Sequence, residues 1–140
     1  MRRLITLIAI VLGCSAMLEA KCGVLFIAVQ GDSGSAAKQQ EVVVQVYPAH
    51  SNKYSEDKVT PNEGRFRADV TFSTFHSASL FGSHNCSRRP ARVVVILMQN
   101  GSEHGRLEFS IPNDFTWDEN SGRWTIKHPI VFNDHGTPNH

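Results

Sequence analysis

Several groups of residues in this 140-residue chain are of types that could do chemistry. Gly31-Asp32-Ser33-Gly34 matches the short motif that carries a nucleophilic serine in one class of protease. A serine is a weak nucleophile until a base takes its proton. Here no histidine precedes His50, Ser35 stands where the motif continues with glycine, and no second motif downstream supplies a base. A Gly/Ser/Asp turn between two strands accounts for the same residues. The histidines raise a metal site: His76, His84 and Cys86 lie close in sequence. An H-x-C pair falls short of a ligand set, and a cysteine held in a disulfide is not a thiolate ligand. His128 falls on the apolar face of the last expected strand, as a core or edge residue, and His135 and His140 fall in the tail. Asp118, Asn120 and Gly122 have some of the character of a calcium loop, but Arg123 stands where that loop needs glycine and no glutamate closes it. The sequence therefore predicts no metal, no cofactor and no catalytic residue. The competing reading is a small metal-dependent or hydrolytic enzyme built on the His76/His84 region.

Two aromatic residues remain as candidate partner contacts. Phe115 and Trp117 precede the last expected strand, in a stretch read as a loop from Pro112 to Gly122. Aromatics on a loop can stack on a sugar or fill a partner's pocket. They can equally cover one end of a sandwich. Asn85-Cys86-Ser87 and Asn100-Gly101-Ser102 fit the glycosylation sequon, which has meaning only in a eukaryotic secretory pathway.

The address is written at the N-terminus. Met1-Arg2-Arg3 is basic, Leu4 to Leu12 is apolar and too short to span a bilayer as a helix, and small residues follow. That is the pattern of a secretory signal, of bacterial length. Cleavage after Ala20 makes residues 1–20 the signal and leaves Lys21-Cys22-Gly23 at the new N-terminus. Val11-Leu12-Gly13-Cys14 offers a second reading, a lipobox with Cys14 lipidated and the product an anchored accessory subunit. Of three cysteines, cleavage at Ala20 leaves Cys22 and Cys86. An even pair in an exported domain is most simply a disulfide. Its long loop gives it about 4 kcal/mol in the chain-entropy model. Removal of residues 1–20 also takes Arg2, Arg3 and Glu19 from the 14 basic and 13 acidic residues, which balances the charge. Electrostatics thus points to no nucleic acid, and the partner is left open among protein, peptide and glycan.

The elements that must hold these residues are strands. Val24 to Val29 and Arg92 to Met98 are short continuous apolar runs, suited to strands buried on both faces. Val42, Val44 and Val46 alternate with Val43, Gln45 and Tyr47 up to Pro48. Phe66, Ala68, Val70 and Phe72 alternate with Arg65, Arg67, Asp69 and Thr71, giving one wet and one buried face. Leu107, Phe109 and Ile111 repeat the alternation, and Trp124, Ile126, Ile130 and Phe132 share one face of a final strand with His128. A weaker strand falls around Lys58 to Thr60. Asn100-Gly101 is a hairpin cue, Pro61-Asn62-Glu63-Gly64 reads as a turn, and Ser73 to Arg89 as a long connection with Phe75, Leu80 and Phe81 as plugs. No segment carries helical periodicity. Seven short strands with turn signals between them predict an all-β sandwich of Greek-key type over residues 21–133, Ig-like or transthyretin-like, followed by a disordered tail at 134–140.

Thr60-Pro61-Asn62-Glu63-Gly64-Arg65-Phe66 resembles the Thr-x-x-x-Gly-x-Phe turn of carboxypeptidase regulatory-like or transthyretin-like domains. The start at Lys21-Cys22-Gly23, the later Asn85-Cys86 and the Arg89-Pro90 step into an apolar strand are similar to exported bacterial domains of that kind. Gly34-Ser35-Ala36-Ala37 stands where such domains usually carry Gly-x-Pro-x-x-Gly-Ala. The resemblance implies a small Greek-key sandwich that works as a non-catalytic accessory or adhesion module.

Overall fold

The computed structural model describes residues 23–34, 39–74 and 89–132. Nine strands occur among them: β1 (Gly23–Asp32), β2 (Gln40–Pro48), β3 (Ser55–Val59), β4 (Arg65–Thr74), β5 (Pro90–Gln99), β6 (Ser102–Ser110), β7 (Phe115–Asp118), β8 (Arg123–Ile126) and β9 (Ile130–Val131). They form two sheets packed face to face. One has the order β4-β1-β8-β7 with β9 also beside β1, and the other has the order β3-β2-β5-β6. The all-β sandwich expected from the alternation is the fold.

The core lies between the sheets and follows the sequence pattern. In β4, Phe66, Ala68, Val70 and Phe72 point inward and the intervening charged and hydroxyl residues point out. They meet Val42, Val44 and Val46 of β2 and Val93, Val95 and Leu97 of β5. Each such fully buried side chain contributes about 1.5–3 kcal/mol relative to exposure. β5 is buried on its outer face too, where Val94 and Ile96 cluster with Val43, Tyr47 and Met98. On that face Glu108 lies opposite Val94, and Arg106 opposite Ile96. Their stems flank the apolar strip while their charges stay in water.

Two tight hairpins set register. Asn100 and Gly101 take φ of 51° and 77°, the doubly left-handed geometry of a type I′ turn, between the paired Gln99 and Ser102. Glu63 (52°) and Gly64 (80°) do the same between Asn62 and Arg65. The resemblance motif Thr60–Phe66 is therefore a two-residue hairpin feeding β4.

Two expectations about strands change. The segment read as a loop, Pro112 to Gly122, contains β7, which pairs with β8 as Phe115↔Ile126 and Trp117↔Trp124. The single last strand is broken into β8 and β9. Three steps along β1, from Ala28 to Gly31, face five along the partner, from Thr125 to Ile130. Two extra residues loop out, at a point where Pro129 has no N–H for the ladder. The insertion is even, so Ile126, Ile130 and Phe132 keep one inward face as expected. His128 is thrown out of that face and is exposed, which corrects its placement as a core or edge residue.

Candidate functional site

The two ends of the sandwich are built differently. At the end where β1 finishes, the Gly31-Asp32-Ser33-Gly34 segment is structural. Gly31 and Asp32 still belong to β1, and the turn begins at Ser33. The Ser33 N–H donates to Gly64 O at 2.6 Å. Its hydroxyl lies 2.9 Å from Gln40 Oε1 and 3.1 Å from Gly64 O, sharing one proton between two acceptors, and the residue is 2% exposed. Asp32 Oδ1 accepts from Gly34 N–H at 2.8 Å, an Asx turn. Ser33 is thus a buried link between the β1–β2 and β3–β4 connections, with no approach for a substrate. Gly31 is fixed by space, because a Cβ there would run into the backbone of Ile130 in β9.

Among the described residues the opposite end is open. Gly23 to Leu25 of β1, Thr74 at the end of β4, Arg89 and Pro90 at the start of β5, Ile111 and Pro112 after β6, and Trp117, Glu119, Gly122 and Trp124 of the β7–β8 hairpin line a half-open cleft of 890 Å³. The period of two explains why. Phe115 and Trp117 share one face of β7, and along it burial falls from Phe115 in the core to Trp117 at the cleft. Phe115 is 2% exposed and packed in the core, so the structure does not make it a partner contact. Trp117 is 39% exposed and leans on Trp124, ring centroids 5.1 Å apart and planes tilted 44°.

More aromatic surface lies outside the cleft, on the outer face of the second sheet. Tyr47 pairs with Tyr54 at 5.2 Å, and the Arg92 guanidinium stands 4.3 Å over the Tyr47 ring. The chain has two tryptophans and two tyrosines, and all four lie in this half of the sandwich. The phenylalanines, by contrast, include Phe66 and Phe132, packed against each other in the core toward the closed end. Sequence reasoning found Trp117 and missed Trp124, Tyr47 and Tyr54, because they sit on β8, on β2 and in the β2–β3 connection.

Among the described residues, polar groups at the open end are few. Thr74 continues the inward row of β4, is 6% exposed, and its Oγ1 has no hydrogen-bond partner among the described residues. Arg89 and Glu119 put one charge of each sign on the lining. Beside the cleft, the Asp118 carboxylate accepts from Asn120 N–H at 3.0 Å and Ser121 Oγ at 2.6 Å. The Ser121 hydroxyl first, and then the Asn120 N–H, hold its pKa below the usual carboxylate range. Asp118, Asn120 and Gly122 therefore shape the hairpin loop, and Gly122 takes its positive φ of 60°.

Among the described residues, no group of three or more His, Cys, Asp or Glu could hold a metal ion, and no helix is long and apolar enough to cross a membrane. Cys14, Cys22, Cys86, His76 and His84 lie outside the described residues, as do the signal segment 1–20 and the tail at 134–140. No protein-family model matches the chain, and no curated protein or solved structure matches it.

Proposed function

We propose that this chain is an exported, non-enzymatic binding module of the bacterial envelope, a transthyretin-like or carboxypeptidase regulatory-like sandwich domain that recognises its partner through the open end. One observation carries the reading: both tryptophans of the chain line that cleft, with Trp117 exposed at its mouth. Such residues combine a large apolar surface with a polar handle, and they dominate binding energy where they occur at interfaces.

The test is paired capture from envelope extract by the secreted chain and by its Trp117→Ala variant, both checked for folding by circular dichroism. Specific capture that the variant loses supports the reading. Equal capture by both, or none by either, overturns it. In the same reading residues 1–20 are removed on export, Cys14 leaves with them, and Cys22 is bonded to Cys86. Two lining residues support the bond: Gly23 directly follows Cys22, Arg89 is three residues past Cys86, and both border one cleft. The intact mass of the secreted chain without reductant should begin at Lys21 and lack a hydrogen pair. A lipid on Cys14 would instead make the product an anchored accessory subunit.

A further inference from the structure

The outer face of the β3-β2-β5-β6 sheet carries its charges in rows of one sign, and the geometry points to a second copy of this chain as its partner, seated face to face about a two-fold axis. The register sets the rows. Lys58, Val43, Ile96 and Arg106 stand side by side across the four strands, with a cation at each end. The adjacent row is Glu56, Gln45, Val94 and Glu108, with an anion at each end. Beyond the acidic row, Arg92 stands beside Tyr47, and beyond the basic row come Glu41, Met98 and Glu103. The sign therefore alternates from row to row along the strands. The charged ends reach solvent: the Lys58, Arg106 and Glu108 side chains are 55%, 44% and 53% exposed. An antiparallel sheet with one face in water usually turns only polar residues outward, yet Val43, Val94 and Ile96 form an apolar strip on this one.

A two-fold axis lying in this face, across the strands and between the two middle rows, carries every basic row onto an acidic one. Lys58 then meets Glu56 of the other copy, Arg106 meets Glu108, and Arg92 falls over the row of Glu41 and Glu103. Val94 and Ile96 of the two copies meet at the axis. An axis along the strands would instead lay Lys58 on Arg106 and Glu56 on Glu108, like on like, so the charges select one arrangement. In it the stacked strands run antiparallel and aligned, an ordinary packing of sheets about 10 Å apart. Within one copy Lys58 pairs with Glu56, and Arg92 with Glu108, each at 3.5 Å. Isolated exposed pairs of this kind contribute little, and the second copy turns them into networks. The stems of the charged residues already shelter the apolar strip, so the gain is chiefly electrostatic. Strand spacings of about 4.8 Å and a rise of about 3.3 Å per residue give a footprint of roughly 500 Å², below the roughly 800 Å² per partner of a standard stable interface. A salt-sensitive, reversible dimer follows. Its two open clefts point in opposite directions, and it does not depend on what they bind.

Sedimentation equilibrium of the full secreted chain, up to about 1 mM protein, tests the dimer. At low salt a monomer–dimer equilibrium is expected, with the dissociation constant rising about tenfold when salt shortens the Debye length to about 3 Å. Two charge-reversed variants probe the rows: Lys58→Glu with Arg106→Glu, and Glu56→Lys with Glu108→Lys, each checked for folding by circular dichroism. Either variant alone lays like charges on like, and its self-association should weaken at least about 100-fold. An equimolar mixture of the two should pair again, which a loss of folding could not produce. A monomer at every concentration in low salt would overturn the proposal. So would a dimer that both variants retain, or a wild-type dimer whose reversed variants fail to pair when mixed. A dimer lost in Trp117→Ala but kept in both reversed variants would put the second copy in the cleft, overturning this face while leaving the binding-module reading intact.

Discussion

Two buried hydroxyls, one at each end of the sandwich, show how differently the ends are finished. Ser33 is 2% exposed and bonded twice, and it ties two connections together. Thr74 is 6% exposed, and its hydroxyl has no partner among the described residues. A satisfied buried hydroxyl stabilises a fold by roughly 1 kcal/mol, and an unsatisfied one costs about 1–3 kcal/mol. The closed end is therefore built for stability. The open end carries a local defect beside the cleft, where proteins tend to sacrifice stability for function.

Substitutions at the two ends test that contrast. The largest effect should come from Gly31→Val at the closed end, since its side chain would displace β9 from β1. Urea unfolding should show a loss of about 3 kcal/mol, the upper range for overpacking. Next, Ser33→Ala should cost about 2 kcal/mol by the same measurement, because Gln40 loses its buried partner and Gly64 O one of its donors. Thr74→Val should move the other way and stabilise by about 1 kcal/mol, as it removes an unpaired polar atom at nearly constant shape. If Ser33→Ala and Thr74→Val shifted the urea midpoint in the same direction, the two ends would not differ in the way described.

The smallest effect concerns the loop beside the cleft. Asp118 has a folded pKa lower than its unfolded value, first through the Ser121 hydroxyl and then the Asn120 N–H. A depressed carboxylate favours the folded state above the unfolded pKa, and that contribution disappears as pH falls through the folded value. The stability difference between wild type and Asp118→Ala should thus be constant at neutral pH and shrink in acid. Carbon-detected NMR titration should place the Asp118 midpoint below that of an ordinary aspartate. Because the side chain is exposed, the effect should fade with added salt.

Much of the fold was legible because it depends on local alternation. Phe66 to Phe72 against Arg65 to Thr71 defined β4, and Asn100-Gly101 defined a hairpin that the left-handed φ angles bear out. β7 was not legible. It has four residues, of which only Phe115 is buried, so its sequence resembles a polar loop until Ile126 is seen opposite. The bulge at 127–129 was hidden for the opposite reason: an even insertion preserves the inward parity that the eye follows. The open end was only partly legible. Trp117 stood out by type, but its companions come from β2, β8 and the β2–β3 connection, and only the tertiary fold collects them. Thr74 had a signal in its parity with Phe72 and Val70, which the polar run beginning at Ser73 obscured.

The position of β1 has a consequence for how the molecule comes into being. Near the start of the chain, it pairs with β4 on one flank and with β8 and β9 on the other. A polypeptide emerging from its N-terminus thus exposes an apolar segment whose second neighbour follows far later in the chain. Until residues 123–131 arrive, that flank has no native occupant among them, and closing so distant a pair is slow. This sheet closes only after residues 123–131 have been made, and a chain stopped just before Arg123 would retain an unsealed central strand open to pairing with other molecules.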